Sequence, residues 1–144
     1  MSRSILEEQN KIVEAFSMLE GDMEMSINYL IELGDTLKKY PDEWRDEDHI
    51  VKGCQSKVWM NAELKNGVMM LTADSNTAIT KGLVSLLVSS VNGFAPDQIL
   101  NADIIFPEKI GMNRFIGTQR SNGFSSMIKQ IKMYALALSA LESK

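Results

Sequence analysis

The residue best equipped for chemistry in this chain is Cys54, the only cysteine, in the stretch VKGCQSKVW (51–59). A thiol becomes a nucleophile where it is reachable and its thiolate is favoured. Gly53, Gln55, Ser56 and Lys57 surround it, which predicts a loop tip or strand start rather than a core position flanked by apolar residues. Gly53 permits a tight turn or the close approach of another group. Lys52 and Lys57 offer local positive charge. The competing reading, evenly balanced against it on local context, is a small buried hydrophobe. The only histidine, His49, lies five residues upstream and raises the idea of a Cys–His pair, although an ordinary loop histidine is the simpler expectation.

Counting removes most other chemistry. With one Cys and one His, no Cys/His zinc site of usual composition forms within one chain. Neither G-x-x-x-x-G-K-[ST] nor G-x-G-x-x-G occurs, so phosphate-cradling loops have no support. Among 19 Asp and Glu residues no pair is singled out by spacing, and surface acids are the expectation.

The elements that must position Cys54 are readable from periodicity. Residues 4–20 predict a helix opened by the capping box Ser4-x-x-Glu7, with Ile5, Leu6, Ile12, Val13, Phe16 and Leu19 on one face and Gly21 as its stop. A second helix is expected over 22–39, ending before Pro41. PDEWRDEDH (41–49) reads as a solvated acidic loop. The period then changes to two. Val58, Met60, Ala62 and Leu64 alternate with Lys57, Trp59, Asn61 and Glu63, the mark of a half-buried strand, with Trp59 expected to pack on the second face. Asn66-Gly67 predicts a type I′ hairpin turn into a return strand at 68–73. Asp74 and Ser75 are the expected N-caps of a helix over 75–92, with Gly93 as its stop. A helical turn is expected at 96–101, an irregular stretch at 103–115 and a last helix over 121–142.

No repeat, linker or low-complexity segment interrupts the pattern. The expected fold class is therefore α+β, helices packed on a small antiparallel β-sheet, in a single domain spanning 1–144. A chain of 144 residues with 44% hydrophobic and 24% charged residues suffices for a real core without staples. Net charge −4 and pI near 5.0 argue against a nucleic-acid binder and against anionic lipid surfaces. MSRSILEEQN lacks the apolar core of a signal peptide, and GLVSLLVSSVNGF (82–94) is too short and polar to span a bilayer. A cytoplasmic location is expected, with no membrane partner.

VKGCQSKVW resembles the G-C-Q-S-x-V-W signature of the SufE family, sulfur acceptors that act with cysteine desulfurases in iron–sulfur cluster assembly. YLIELGDTL (29–37), ADSNTAITKGL (73–83) and QRSNGFSSMIKQI (119–131) resemble the family in the same order, so the likeness runs along the whole chain; 103–118 matches less clearly. The resemblance implies a SufE/IscU-like fold and a Cys54 that takes sulfur from the persulfide of a SufS- or CsdA-type desulfurase. That partner holds the pyridoxal phosphate, so no cofactor is expected here. The sulfur would pass on to a SufBCD-type iron–sulfur scaffold complex, and the acceptor, itself not an enzyme, would be a monomer when free. A lone cysteine suits this role, because a second thiol nearby would resolve the persulfide as a disulfide. It also sets the chain apart from cluster scaffolds of similar fold, which hold iron with several cysteines.

By the same resemblance, Arg120 stands ahead of the last helix and is expected near Cys54, where it favours thiolate or persulfide anion or contacts the desulfurase. Asp74, Ser75 and Asn76 are expected to cap the third helix and border a cysteine loop that includes Gly53, Gln55 and Ser56. That loop is expected to shield the thiol until the partner docks. The alternative is a stand-alone thiol enzyme, a peptidase or one-cysteine peroxidase, in which His49 serves Cys54 as base. A third possibility is an interaction module in which Cys54 is merely structural.

Overall fold

The computed structural model describes residues 3–142; the four terminal residues of the expected 1–144 domain lie outside the described residues. Two helices open the chain, α1 (Ile5–Ser17) and α2 (Met23–Gly34). Ser4 caps α1 by accepting a hydrogen bond from the Glu7 N–H at 3.0 Å, and Asp22 caps α2 through Met25 N–H at 2.9 Å. Both helices end short of the spans expected from the apolar stripe. The acidic stretch is not a plain loop. It forms two single 3-10 turns, Asp42–Trp44 and Glu47–His49.

The hairpin follows as β1 (Val58–Lys65) and β2 (Val68–Ser75), antiparallel with Met60 opposite Ala73. Asn66 and Gly67 have φ of 51° and 82°, the pair of positive angles that a type I′ turn demands. Val58, Met60, Leu71 and Ala73 on one face are buried, as the alternation predicts. Its edges are covered, Met69 bridging to Phe94 and Ile50 to Trp59. β2 runs two residues further than expected and absorbs Asp74 and Ser75 into the sheet.

Helix α3 (Ala78–Val91) therefore starts later than predicted, and neither Asp74 nor Ser75 caps it. It contacts α1, α2, β2 and the last helix, so two of its three serines, Ser85 and Ser90, are buried, while Ser89 stays exposed. Ser85 and Ser90 donate to carbonyls of their own helix, Gly82 at 2.6 Å and Leu87 at 2.9 Å, which lets hydroxyls sit in the core. α4 (Pro96–Asn101) matches the expected turn. The stretch read as irregular holds two short helices, α5 (Phe106–Lys109) and α6 (Met112–Ile116). Helices this short do not persist alone. The buried Gln9 side chain anchors α5, donating to the Asp103 carbonyl at 2.9 Å and accepting from the N–H groups of Ile105 and Phe106 at 2.7 and 3.1 Å.

The last helix, α7 (Thr118–Glu142), begins three residues earlier than predicted. It is tied to the hairpin by Tyr134, whose hydroxyl donates to the Met60 carbonyl at 3.0 Å. Lys132 ties it to α4, donating to the carbonyls of Ile99 at 2.6 Å, Leu100 at 3.2 Å and Ala102. These carbonyls lie at the C-terminal end of α4, where a cation is favoured. The result is α+β, with helices packed on a two-stranded sheet. No helix among the described residues is long and apolar enough to cross a membrane.

Candidate functional site

The segment 51–57 leaves and rejoins the sheet at one point. Val51 N–H donates to the Val58 carbonyl at 2.8 Å, pinching the loop at its base. On the downstream side Asn76 clamps Lys57: its Oδ1 accepts from Lys57 N–H at 3.0 Å, and its own N–H donates to the Lys57 carbonyl at 3.2 Å. Ser75 donates to that same carbonyl at 2.8 Å. Ser56 Oγ lies 2.9 Å from Thr77 Oγ1 and accepts from Thr80 Oγ1 at 3.3 Å, tying the loop to the start of α3.

The upstream side rests on α7. Gly53 adopts φ +96°, and a Cβ there would run into Ser126 Oγ. Cys54 donates its S–H to the Gly123 carbonyl at 3.4 Å, and a Cβ on Gly123 would stand 3.5 Å from the sulfur. A glycine inside a helix costs about 1 kcal/mol relative to alanine, so Gly123 marks a close approach. It is the glycine of the quoted R-S-N-G stretch, but only the folded chain reveals what approaches it. Gly53→Ala is therefore expected to lift the loop from α7. Alkylation of Cys54 by iodoacetamide should quicken severalfold, while stability falls by about 1–3 kcal/mol from the unfavourable φ. An unchanged alkylation rate would refute this picture of the loop.

Cys54 is half-buried and lines a partly open cavity of about 350 Å³. Leu83, Ile116 and Met127 give it an apolar lining, while Gln55, Thr118 and Gln119 are among its polar ones. Of the lining side chains Arg120 alone carries a charge. Arg120 stands within the first turn of α7, not ahead of the helix, and its Nη1 donates to the Ile116 carbonyl at 3.2 Å. A cation at a helix N-terminus is unfavourable, and the carbonyl at the end of α6 offsets this. Burial pushes the Cys54 thiol above its ordinary pKa. Lys52 and Lys57 do not line the cavity, so the expectation of charge from those lysines is corrected; Lys52 faces a separate groove with Lys129.

Two further expectations fare differently. Asp74 does not border the cysteine loop. Paired across from Trp59, its Oδ2 accepts from Arg45 Nη2 at 2.7 Å, and its Oδ1 lies 3.6 Å from Lys81 Nζ. Arg45 stacks over Trp59 and Tyr40, with its guanidinium carbon 4.9 and 5.2 Å from the ring centroids, so the acidic stretch is held against the sheet. Sequence reading had no local signal for that partnership. Nor does His49 join the Cys54 cavity. Its Nδ1 lies 2.6 Å from Asp46 Oδ1, its Nε2 lies 3.2 Å from Asn61 Oδ1, and its ring stacks on Trp44. The base that a stand-alone thiol enzyme needs is committed elsewhere. Among the described residues no group of three His, Cys, Asp or Glu side chains is placed to hold a metal ion.

A glycine-hinged loop that lays a lone thiol against a helix, within a helix-and-hairpin domain, defines a class of small thiol-bearing proteins. The family model SufE, described as an Fe-S metabolism associated domain, matches residues 10–135, and the chain belongs to the SufE family. It is 35% identical over 129 residues to an uncharacterized SufE-like protein of Rhizobium etli, a match covering 85% of this chain and 86% of that one. The solution structure of a hypothetical protein from Thermus thermophilus has the same fold, with a TM-score of 0.75 at 19% identity over 90% of this chain and 94% of that one.

Proposed function

We propose that Cys54 accepts the outer sulfur of a persulfide carried by a pyridoxal-phosphate-dependent cysteine desulfurase of SufS or CsdA type. The observation that carries this reading is the placement of the chain's sole thiol on a loop anchored at two separable faces, beside a cavity with room for an added sulfur. Cys54 thiolate attacks the outer sulfur of the partner's Cys–S–SH. The S–S bond breaks, the partner's thiolate leaves, and Cys54–S–SH forms with no net oxidation or reduction. The rate depends on thiolate fraction, nucleophilicity, leaving group and access. Carbon–sulfur cleavage stays with the partner, so this chain acts as a carrier and needs no cofactor of its own. The loaded protein, a cytoplasmic monomer, then delivers sulfur to a SufBCD-type iron–sulfur scaffold.

Gly53, Gln55 and Ser56 shape the loop, Asn76 holds its base, and Arg120 meets the incoming or stored sulfur anion. Asp74 contributes by holding Arg45 and the sheet, outside the cavity. A buried thiol with a raised pKa, tied to a carbonyl, reacts slowly until docking frees it, and this guards it against over-oxidation. Iodoacetamide labelling of the native protein should therefore be slower at neutral pH than labelling of the peptide VKGCQSKVW. Because the folded pKa is raised, the thiolate fraction grows as pH rises, and the midpoint of the rate profile should lie above that of the peptide. Coincident profiles would count against a guarded thiol. The direct test is intact-mass spectrometry under non-reducing conditions with a desulfurase and cysteine. A species heavier by one sulfur atom supports the relay, and its absence with both desulfurase types sinks it.

A further inference from the structure

Resting on that reading, we infer that the Cys54 cavity is also a binding site for small carboxylate-bearing thiols, to which the loaded protein hands its sulfur directly. The cavity is of small-molecule size, about 350 Å³, and lies beside the sulfur in the resting arrangement of the loop. A thiol borne on another protein must bring its backbone, and so needs the loop displaced. A molecule of a few carbons does not.

The lining sets the chemical class. Its apolar part, Leu83, Ile116 and Met127, suits a thiol and a short carbon chain. Its single charge is the guanidinium of Arg120, with no carboxylate among the lining residues to neutralise it. That guanidinium is oriented by the Ile116 carbonyl, which takes Nη1 only. Among the described residues Arg120 has no carboxylate partner and one hydrogen bond, to the Ile116 carbonyl, so its charge can meet a further group besides the sulfur. A carboxylate on the incoming thiol is that group, because a guanidinium presents a planar fork of donors that matches carboxylate geometry. In a chain of net charge −4, such a site draws anions against the average field of the molecule.

The transfer balances without an oxidant. The ligand's thiolate attacks the outer sulfur of Cys54–S–SH, the S–S bond breaks, Cys54 thiolate leaves, and the small molecule departs as its persulfide.

Two measurements test the inference and keep it apart from the desulfurase reading. In the first, unloaded protein is alkylated with iodoacetate and with iodoacetamide. The iodoacetate-to-iodoacetamide rate ratio should be about fivefold higher for the wild type than for Arg120→Gln, the size of one charge acting through partly screened solvent. Lys129→Gln, the same charge change on α7 but in the separate groove, should leave the ratio unchanged. In the second, protein loaded by desulfurase and cysteine, or by inorganic polysulfide where that fails, is treated with mercaptoacetate or cysteamine. Loss of the added sulfur is followed by intact mass, each rate being normalised to the same thiol acting on a small model persulfide. Mercaptoacetate should discharge wild type faster, and the preference should collapse in Arg120→Gln. Equal ratios in wild type and Arg120→Gln, or an equal change in Lys129→Gln, would overturn the inference even if the desulfurase loads Cys54. Failure of desulfurase loading with the anion preference intact would overturn the relay reading and leave the ligand class standing.

Discussion

Cys54→Ser is expected to abolish sulfur uptake completely while leaving the fold in place. The chain has no second thiol to take over, and a serine hydroxyl neither ionises near neutral pH nor forms a stable sulfur adduct under these conditions. Structurally the residue contributes little. Its one hydrogen bond is an S–H to carbonyl contact of 3.4 Å from a half-buried position, and a hydroxyl can replace it. Stability should change by no more than about 1 kcal/mol, the net worth of one ordinary hydrogen bond. The comparison is intact mass of both proteins after incubation with a desulfurase and cysteine, beside a denaturant melt of each. Sulfur appearing on the serine variant would place acceptance elsewhere. Lost sulfur with an unfolded variant would point to a structural cysteine.

A large loss of stability is expected from Gly82→Ala, at the crossing of α2 and α3. α2 and α3 cross so closely that a Cβ on Gly82 would overlap the Leu30 carbonyl oxygen and stand 2.7 Å from Leu30 Cγ. From the other side a Cβ on Gly34 would lie 3.0 Å from the Gly82 nitrogen. Leu30 is fully enclosed and its backbone cannot yield, so the helices must part. Overpacking of this kind costs about 1–3 kcal/mol, occasionally more, and here the obstruction is backbone, which favours the upper end. Alanine's better helix propensity returns about 1 kcal/mol. A net loss of about 2 kcal/mol corresponds to a Tm drop of roughly 4–8 °C for a chain of this size. Thermal and denaturant melts decide it; an unchanged or raised Tm would mean that propensity outweighs the crossing. Because α3 also carries Thr80 and Leu83 into the Cys54 cavity, the folded fraction should label differently with iodoacetamide as well.

What the sequence by itself determined were the features that arise within a few residues of the chain. The hairpin follows from the alternation across 58–64 and from Asn66-Gly67, whose backbone angles are those such a turn needs. The helices follow from their apolar spacing, although their ends moved by several residues where tertiary contacts settled them. A lone thiol in a polar, glycine-containing loop, and the ordered motifs of the SufE family, were equally legible. The tertiary structure alone decided the neighbours. Periodicity tells which face of a helix is apolar but not which element covers it. Gly123, 69 residues from Cys54, became the acceptor of its S–H, whereas His49, only five residues away, turned to Asp46 and Asn61. Asp74, within the expected cap, went to Arg45, since strand pairing with Trp59 carried it to the far side of the hairpin. The stretch 103–115 read as irregular because its helices are too short to persist locally; Gln9, more than ninety residues away, anchors the first of them. Short-range preferences set the elements, and burial and hydrogen-bond satisfaction across the whole chain set what faces the sulfur.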